Sequence, residues 1–452
     1  MLTFLVVKYT SLGLTSIRAL LLASLLGPVS YGVLGTLVLA QQNLSYVALG
    51  VREGLTVQLA HAHGDDAQAL RISSAALLWA WCVGAVILVG AVVLAMLTRA
   101  GNVNWIWVGV ISALSITNEM LININRDRNR IVRVALLEVV FNAVPLGAAL
   151  ILMHHVTVTV VLMAMAGGLL ASVLLYFIGG PGFSWSELRI ENIRSLVTMG
   201  IPLALLSFVT TAIASAFVFS ASALHLGNTV GQLVFGNSLT TIILFGLNMV
   251  AWAATSKSMK HLHATSAAES AGARGARLTA FFRLGIILAV SSLLALKLVF
   301  AFVMQPYAGS EVYAVYFCLL QAYALLLFRE FNFLAVRLRS FWLAAGYGLV
   351  LAGTVVTALL APRLSIVMLM QLCLALLCLF SLICVAYCRS LGFVDTDIRA
   401  QLGFLTFPLL FGVMFGFEGS VAALAVAVLF VAGWLKAHAA ELRSLVVQVR
   451  NA

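Results

Sequence analysis

Apolar residues run along this chain in stretches of about 20, separated by short polar or glycine-containing connections. A hydrocarbon layer about 30 Å thick is crossed by roughly 20 residues of helix, so each stretch predicts one membrane span. Fourteen are predicted, at 3–26, 31–51, 72–97, 104–125, 131–153, 156–178, 196–225, 229–254, 279–304, 311–328, 341–361, 364–388, 402–417 and 419–437. The stretches show no period-two alternation, which excludes a transmembrane barrel and leaves helices as the way to satisfy the backbone in lipid. The expected fold class is an all-α polytopic membrane protein of about 14 transmembrane helices. Lys8 and Arg18 interrupt the first stretch and no small-residue cleavage site follows it, so it reads as a retained span.

Composition agrees with this pattern: 63% of the 452 residues are hydrophobic and 9% charged. A soluble domain carries about 25% charged residues, so the soluble class is excluded, as are disorder and a disulfide scaffold. Net charge is +11, from 26 Lys and Arg against 15 Asp and Glu. With the amino terminus on the cytoplasmic side, 20 of the 26 cations fall on inner connections, helix ends and the tail, and Arg99 and Arg363 fall outside. This asymmetry predicts that both termini are cytoplasmic in a bacterial inner membrane. The same scatter over many segments, with no groove-reading motif, argues against nucleic acid as a partner.

Outer connections are short, such as 27–30 and 305–310, and leave no room for an external catalytic domain. Two longer inner connections, 52–71 and 255–278, each follow the second helix of a six-helix block. Leu26-Gly27 and Leu226-Gly227 stand 200 residues apart, and Arg126-Asp127-Arg128-Asn129 and Arg329-Glu330-Phe331-Asn332 stand 203 apart. These registers predict two pseudo-symmetric six-helix lobes, 1–195 and 196–391, followed by an extra helix pair and cytoplasmic tail at 392–452.

Polar groups inside spans are costly and therefore candidates for function. At about 100° per residue, Lys8, Ser11, Thr15 and Arg18 form one stripe on the first helix, carrying two cations and no acid. Such a stripe either lines a cavity between lobes, or Lys8 snorkels to the interface while Arg18 pairs with an acid elsewhere. On the seventh span Ser207, Thr210, Thr211, Ser215 and Ser222 share a broad face that is either a cavity wall or a helix-packing surface. Pro202 after Gly200 predicts a flexible or broken entrance to that span. Gln41, Gln42 and Asn43 are consecutive and so cannot all point the same way. Glu119 and Glu138 bring two carboxylates near the Arg126 to Arg133 cluster, for ion pairing or for ion coupling.

No enzyme chemistry emerges. His61 with His63, and His261 with His263, lack the further ligands of a metal site, and no GxxxxGK[ST] phosphate loop is present. Neither a cofactor nor a metal is expected, and transport must draw on an ion gradient or the cargo's own gradient.

The stretch Ala23-Ser24-Leu25-Leu26-Gly27-Pro28-Val29-Ser30-Tyr31-Gly32 resembles the "arlLGpeeYG" turn of Wzx-type polysaccharide and O-antigen flippases, in the multidrug/oligosaccharidyl-lipid/polysaccharide (MOP) exporter superfamily. Gly50-Val51-Arg52-Glu53-Gly54, Gly200-Ile201-Pro202-Leu203, Leu226-Gly227 with Val230-Gly231, and Pro306 to Tyr313 are similar to further motifs of that family in the same order. Gln232-Leu233 and Leu49 depart from its pattern. The resemblance implies alternating-access export of undecaprenyl-diphosphate-linked oligosaccharide, for surface or exopolysaccharide synthesis. It implies Lys8 and Arg18 as diphosphate ligands, with Ser11, Thr15, Gln41, Gln42, Asn43, Ser207 and Thr211 lining the sugar cavity. Membrane lipids, a polysaccharide polymerase and a chain-length regulator are the further partners it implies. The superfamily also contains cation-coupled multidrug antiporters, which use a carboxylate in the first helix where this chain has two cations. A glycosyltransferase or polymerase acting on lipid-linked sugars is the remaining alternative, and the short outer loops oppose it.

Overall fold

The computed structural model describes residues 2–62, 65–97, 103–128, 130–178, 183–184, 190–244, 304–307, 309–325, 342–360 and 365–390. The expected spans 279–304, 402–417 and 419–437, the connection 255–278 and Arg329 to Asn332 lie outside the described residues. Within them the chain is helical: α1 (Leu2–Ser45), α2 (Val51–His61), α3 (Asp66–Leu97), α4 (Asn104–Asp127), α5 (Ile131–Ile151), α6 (Val158–Phe177), α7 (Ile190–Ala223), α8 (Gly227–Ile243), α9 (Ser310–Leu325), α10 (Trp342–Leu360) and α11 (Ile366–Ser390). Six of these are long and apolar enough to cross a membrane. Their lipid-facing surface is apolar, with Val86, Val89, Met96 and Leu97 all more than 60% exposed.

α1 is two helices in one continuous element. Forty-four residues would reach about 66 Å as a straight helix, twice the hydrocarbon layer. The break falls at Gly27, whose φ of 69° is open to glycine and strained for other residues, and Pro28 follows it as the first residue of the next helix. The contacts show that the chain turns back here. Lys8 at the start of the first limb meets Glu138, two turns into α5. Past the end of the second limb, Arg52 meets Glu119, and Thr56 accepts a bond from Arg126 at the foot of α4. The foot of α4 and the start of α5 are joined by a three-residue connection, so both limbs begin and end at the same side of the bundle. The expected spans 3–26 and 31–51 are thus the two limbs of this hairpin.

Two expectations change. The connection 52–71 is largely the helix α2, entered through Leu49 and Gly50, both left-handed. α7 runs without interruption through Pro202 from Ile190, so of a flexible or a broken entrance the broken one is not found. Neighbouring helices in a membrane bundle can re-satisfy the carbonyl that a proline leaves free.

Because lipid tails give no hydrophobic drive for helices to associate, close backbone approach has to do the work. The second limb of α1 and α8 meet through Gly32 and Gly231, where a Cβ on Gly32 would lie 2.9 Å from the Gly231 nitrogen. At the other end of the bundle α2 crosses α7 backbone to backbone, and a Cβ on Gly200 would stand 1.8 Å from the Gly50 carbonyl oxygen. Above Gly32, Tyr31, Phe235 and Tyr307 are buried edge to face and tilted together, and the Tyr307 hydroxyl donates to the Ala23 carbonyl at 2.9 Å.

Candidate functional site

The stripe on the first limb of α1 packs on α5, whose Glu138, Phe141 and Asn142 lie on one face at spacings of three and four residues. Each receives a group from the stripe. Lys8, 7% exposed, pairs through Nζ with Glu138 Oε2. Asn142 Nδ2 donates to the Ser11 hydroxyl at 3.2 Å and to the Glu138 carbonyl at 2.9 Å. The Arg18 guanidinium carbon stands 5.5 Å from the centre of the Phe141 ring. Thr15 turns its hydroxyl to the carbonyl of Ser11 at 2.9 Å. The stripe predicted from helical spacing is therefore a single surface, but the acid that meets it pairs with Lys8 and leaves Arg18 over an aromatic ring.

Arg18 is the unusual group. Its Nη1 is enclosed and has no hydrogen-bond partner among the described residues, and the Tyr31 phenol of the second limb lies within electrostatic reach. A buried guanidinium nitrogen with nothing to donate to is costly, and native structures rarely leave one without a functional reason.

The second limb is built differently. Gln41 is buried and Gln42 exposed, while Asn43 Nδ2 donates to Ser215 Oγ at 2.9 Å and to the Leu39 carbonyl at 2.7 Å. Just beyond it the Tyr46 hydroxyl meets Thr211 Oγ1 at 2.9 Å and donates to the Ser207 carbonyl at 3.2 Å. Ser207, Thr211 and Ser215 thus serve here as the surface that joins α7 to this limb.

Glu119 is taken by a cluster that sequence spacing did not reveal. Arg52, at the start of α2, donates through Nε to Glu53 Oε1 at 2.8 Å, through Nη2 to the same oxygen, and through Nη1 to Glu119 Oε2 at 3.0 Å. Its guanidinium also stands 5.8 Å from the centre of the Tyr46 ring. Burial works against the charge, but Glu53 and Glu119 outweigh it and hold the Arg52 guanidinium well above the ordinary arginine range. One member of the basic cluster expected near the carboxylates is engaged at the end of another helix. Arg133 Nη2 donates to the carbonyls of Leu175, Tyr176 and Ile178, capping the end of α6, where helix carbonyls lack partners.

No protein-family model and no curated protein matches the sequence. Solved structures do match it in three dimensions at 13% identity. One, a MATE protein in complex with MaL6, superimposes with a TM-score of 0.56 over 90% of this chain and 93% of that one. Another, the inward-facing conformation of a multidrug resistance MATE family transporter of the MOP superfamily, gives 0.55 over 96% and 98%. The chain has the fold of the MATE transporters. A MOP superfamily transporter from Pyrococcus furiosus, described as having a binding pocket of reversed polarity that suggests a different function, gives 0.52 over 91% and 95%, also at 13% identity.

Proposed function

We propose that this chain is a flippase that carries undecaprenyl-diphosphate-linked oligosaccharide from the cytoplasmic to the periplasmic leaflet of a bacterial inner membrane. Two six-helix lobes, 1–195 and 196–391, rock about a central cavity, with both termini cytoplasmic and an extra helix pair and tail at 392–452 in the sequence. The observation that carries this is Arg18: a guanidinium enclosed within the membrane, with Nη1 lacking a hydrogen-bond partner among the described residues. A cationic drug would meet repulsion there. A diphosphate would supply the missing acceptor and lose its own desolvation penalty in the same step. The Pyrococcus furiosus transporter, whose pocket is described as reversed in polarity, supports the idea that this fold can change the charge of its cargo.

In this reading Lys8 and Arg18 hold the diphosphate. Ser11, Thr15, Gln41, Gln42 and Asn43, with the α7 hydroxyls Ser207 and Thr211, border the path of the sugar, and the lipid tail stays in the bilayer. Glu119, beside a cation that does not titrate, is the carboxylate proposed to couple transport to an ion, and Glu138 is the second candidate.

The test is export of the glycan by cells whose only flippase is the Arg18→Gln variant. Export is expected to fall by at least about tenfold at normal membrane abundance, the effect of one lost charged contact of about 1.4 kcal/mol or more. Unchanged glycan would sink the assignment. Resistance to cationic dyes that depends on this chain, with no effect on glycan, would favour a multidrug antiporter instead.

A further inference from the structure

Lys8 and Arg18 lie ten residues apart, about 15 Å along α1, yet their partners Glu138 and Phe141 lie only about 4.5 Å apart along α5. The two cations therefore converge on one turn of α5. They differ in occupancy, because Lys8 is held by a carboxylate and the Nη1 of Arg18 by nothing described.

A second orphan lies on α6, which packs against α5. Tyr176 is 1% exposed, its hydroxyl has no hydrogen-bond partner among the described residues, and it lies within electrostatic reach of Glu138. Two enclosed donors without acceptors on the helices around one ion pair are the pattern of a site described in one of two arrangements. In the second arrangement each orphan gains what it lacks.

We propose that Glu138 is a stand-in ligand: it holds Lys8 while the site is empty, the arriving diphosphate displaces it, and the Tyr176 hydroxyl then donates to the freed carboxylate. Lys8 Nζ keeps its protons and exchanges one anionic oxygen for another, so no proton is gained or lost. Arg18 Nη1 takes a phosphate oxygen at the same time. On the far side of the membrane the exchange runs backward, and Glu138 competes the diphosphate off Lys8. The stand-in thus weakens cargo binding and speeds release, which a transporter needs and a scaffold contact does not provide.

This rests on the diphosphate reading above, and the experiment separates the two. The probe is undecaprenyl-diphosphate N-acetylglucosamine in nanodiscs holding the full chain, with binding measured at equilibrium and flipping followed in proteoliposomes. Removal of the competing carboxylate in Glu138→Gln is expected to tighten binding by about tenfold and to slow flipping, whereas a merely structural pair would lose both. Glu138→Asp keeps the charge but shortens the reach to Lys8, and guards against misfolding of the first variant; it is expected to bind several-fold more tightly than the natural chain. Tyr176→Phe is expected to weaken binding several-fold in the natural background and to be silent in Glu138→Gln. Binding that is unchanged or weaker in both Glu138 variants overturns the stand-in alone. Failure of the natural chain to bind the probe overturns the diphosphate cargo and the stand-in with it.

Discussion

The two limbs of α1 are joined by a single glycine, yet they bury their polar groups in opposite ways. The second limb and the helix after it are saturated: Asn43 has two acceptors, Tyr46 is bonded to α7, and Arg52 makes three hydrogen bonds to two carboxylates. The first limb carries an ion pair and the enclosed Arg18 Nη1, and α6 adds the enclosed Tyr176 hydroxyl, neither with a described hydrogen-bond partner. Saturated polar networks fix a geometry, and unsaturated ones wait for a ligand or a second conformation. The hydrogen-bonded groups at the end of the second limb hold the bundle together, and the first limb carries the charge chemistry of transport.

The largest effect that would separate the limbs comes from removing one cation from each. Lys8→Met leaves one carboxylate, Glu138 at 28% exposure, without its partner, and a loss of about 1 kcal/mol is expected. Arg52→Met leaves two carboxylates without their shared cation, Glu53 at 11% and Glu119 at 31% exposure, and a loss of about 3–5 kcal/mol is expected. Thermal unfolding in detergent of the two purified variants measures the difference. Equal losses would mean that the Arg52 cluster holds the bundle no more firmly than the stripe does. The Arg52 contribution should also resist alkaline pH. A cation raised in the folded state stabilises fully below its unfolded value and loses that contribution only as pH rises through the folded one, here above the ordinary arginine range.

Next in size is the backbone crossing that fixes the end of the second limb. Gly200→Val places a branched side chain where even a Cβ would lie 1.8 Å from the Gly50 oxygen, and α2 must move off α7. A loss of about 1–3 kcal/mol is expected, with transport falling further than stability because the crossing sets where α2 lies. Gly231→Val, at the contact with Pro28 and Gly32, offers the matching change at the opposite end. A smaller effect is expected from Glu119→Gln. Arg52 keeps Glu53, so stability should change by less than about 1 kcal/mol, while the pH or sodium dependence of transport should be altered if Glu119 couples an ion. An unaltered dependence removes it from that role and leaves Glu138 as the coupling candidate.

Much of the hairpin was legible in the sequence. Run length located the spans, the Leu-Gly-Pro turn located the break, and helical spacing put Lys8, Ser11 and Arg18 on one surface. What spacing within one helix cannot supply is the partner across a helix boundary. Proximity in sequence set Glu138 beside the Arg126 to Arg133 cluster, of which Arg133 caps α6. The signal was available: Glu138 and Asn142 form a polar stripe on α5 of the same pitch as the stripe on α1, and two such stripes in an apolar bundle should meet. Arg52 was missed for a different reason. Residues 52–71 look like a loop by hydropathy, and only the helix that forms there turns Arg52 toward Glu119 and Tyr46.

The finest comparison lies within two adjacent residues of the second limb. Gln42 and Asn43 differ by one methylene, and their positions on the helix are 100° apart. Asn43 bridges to Ser215, so Asn43→Ala should cost about 1 kcal/mol of stability and loosen α1 from α7. Gln42 is exposed, and a polar amide on the surface of a membrane helix has reason to be there only if it meets water or cargo. Gln42→Ala is therefore expected to leave the unfolding midpoint unchanged while weakening binding of the lipid-linked sugar a few-fold. Were Gln42→Ala to stabilise the protein with transport intact, the amide would be facing lipid, and the second limb would have no part in the path of the sugar.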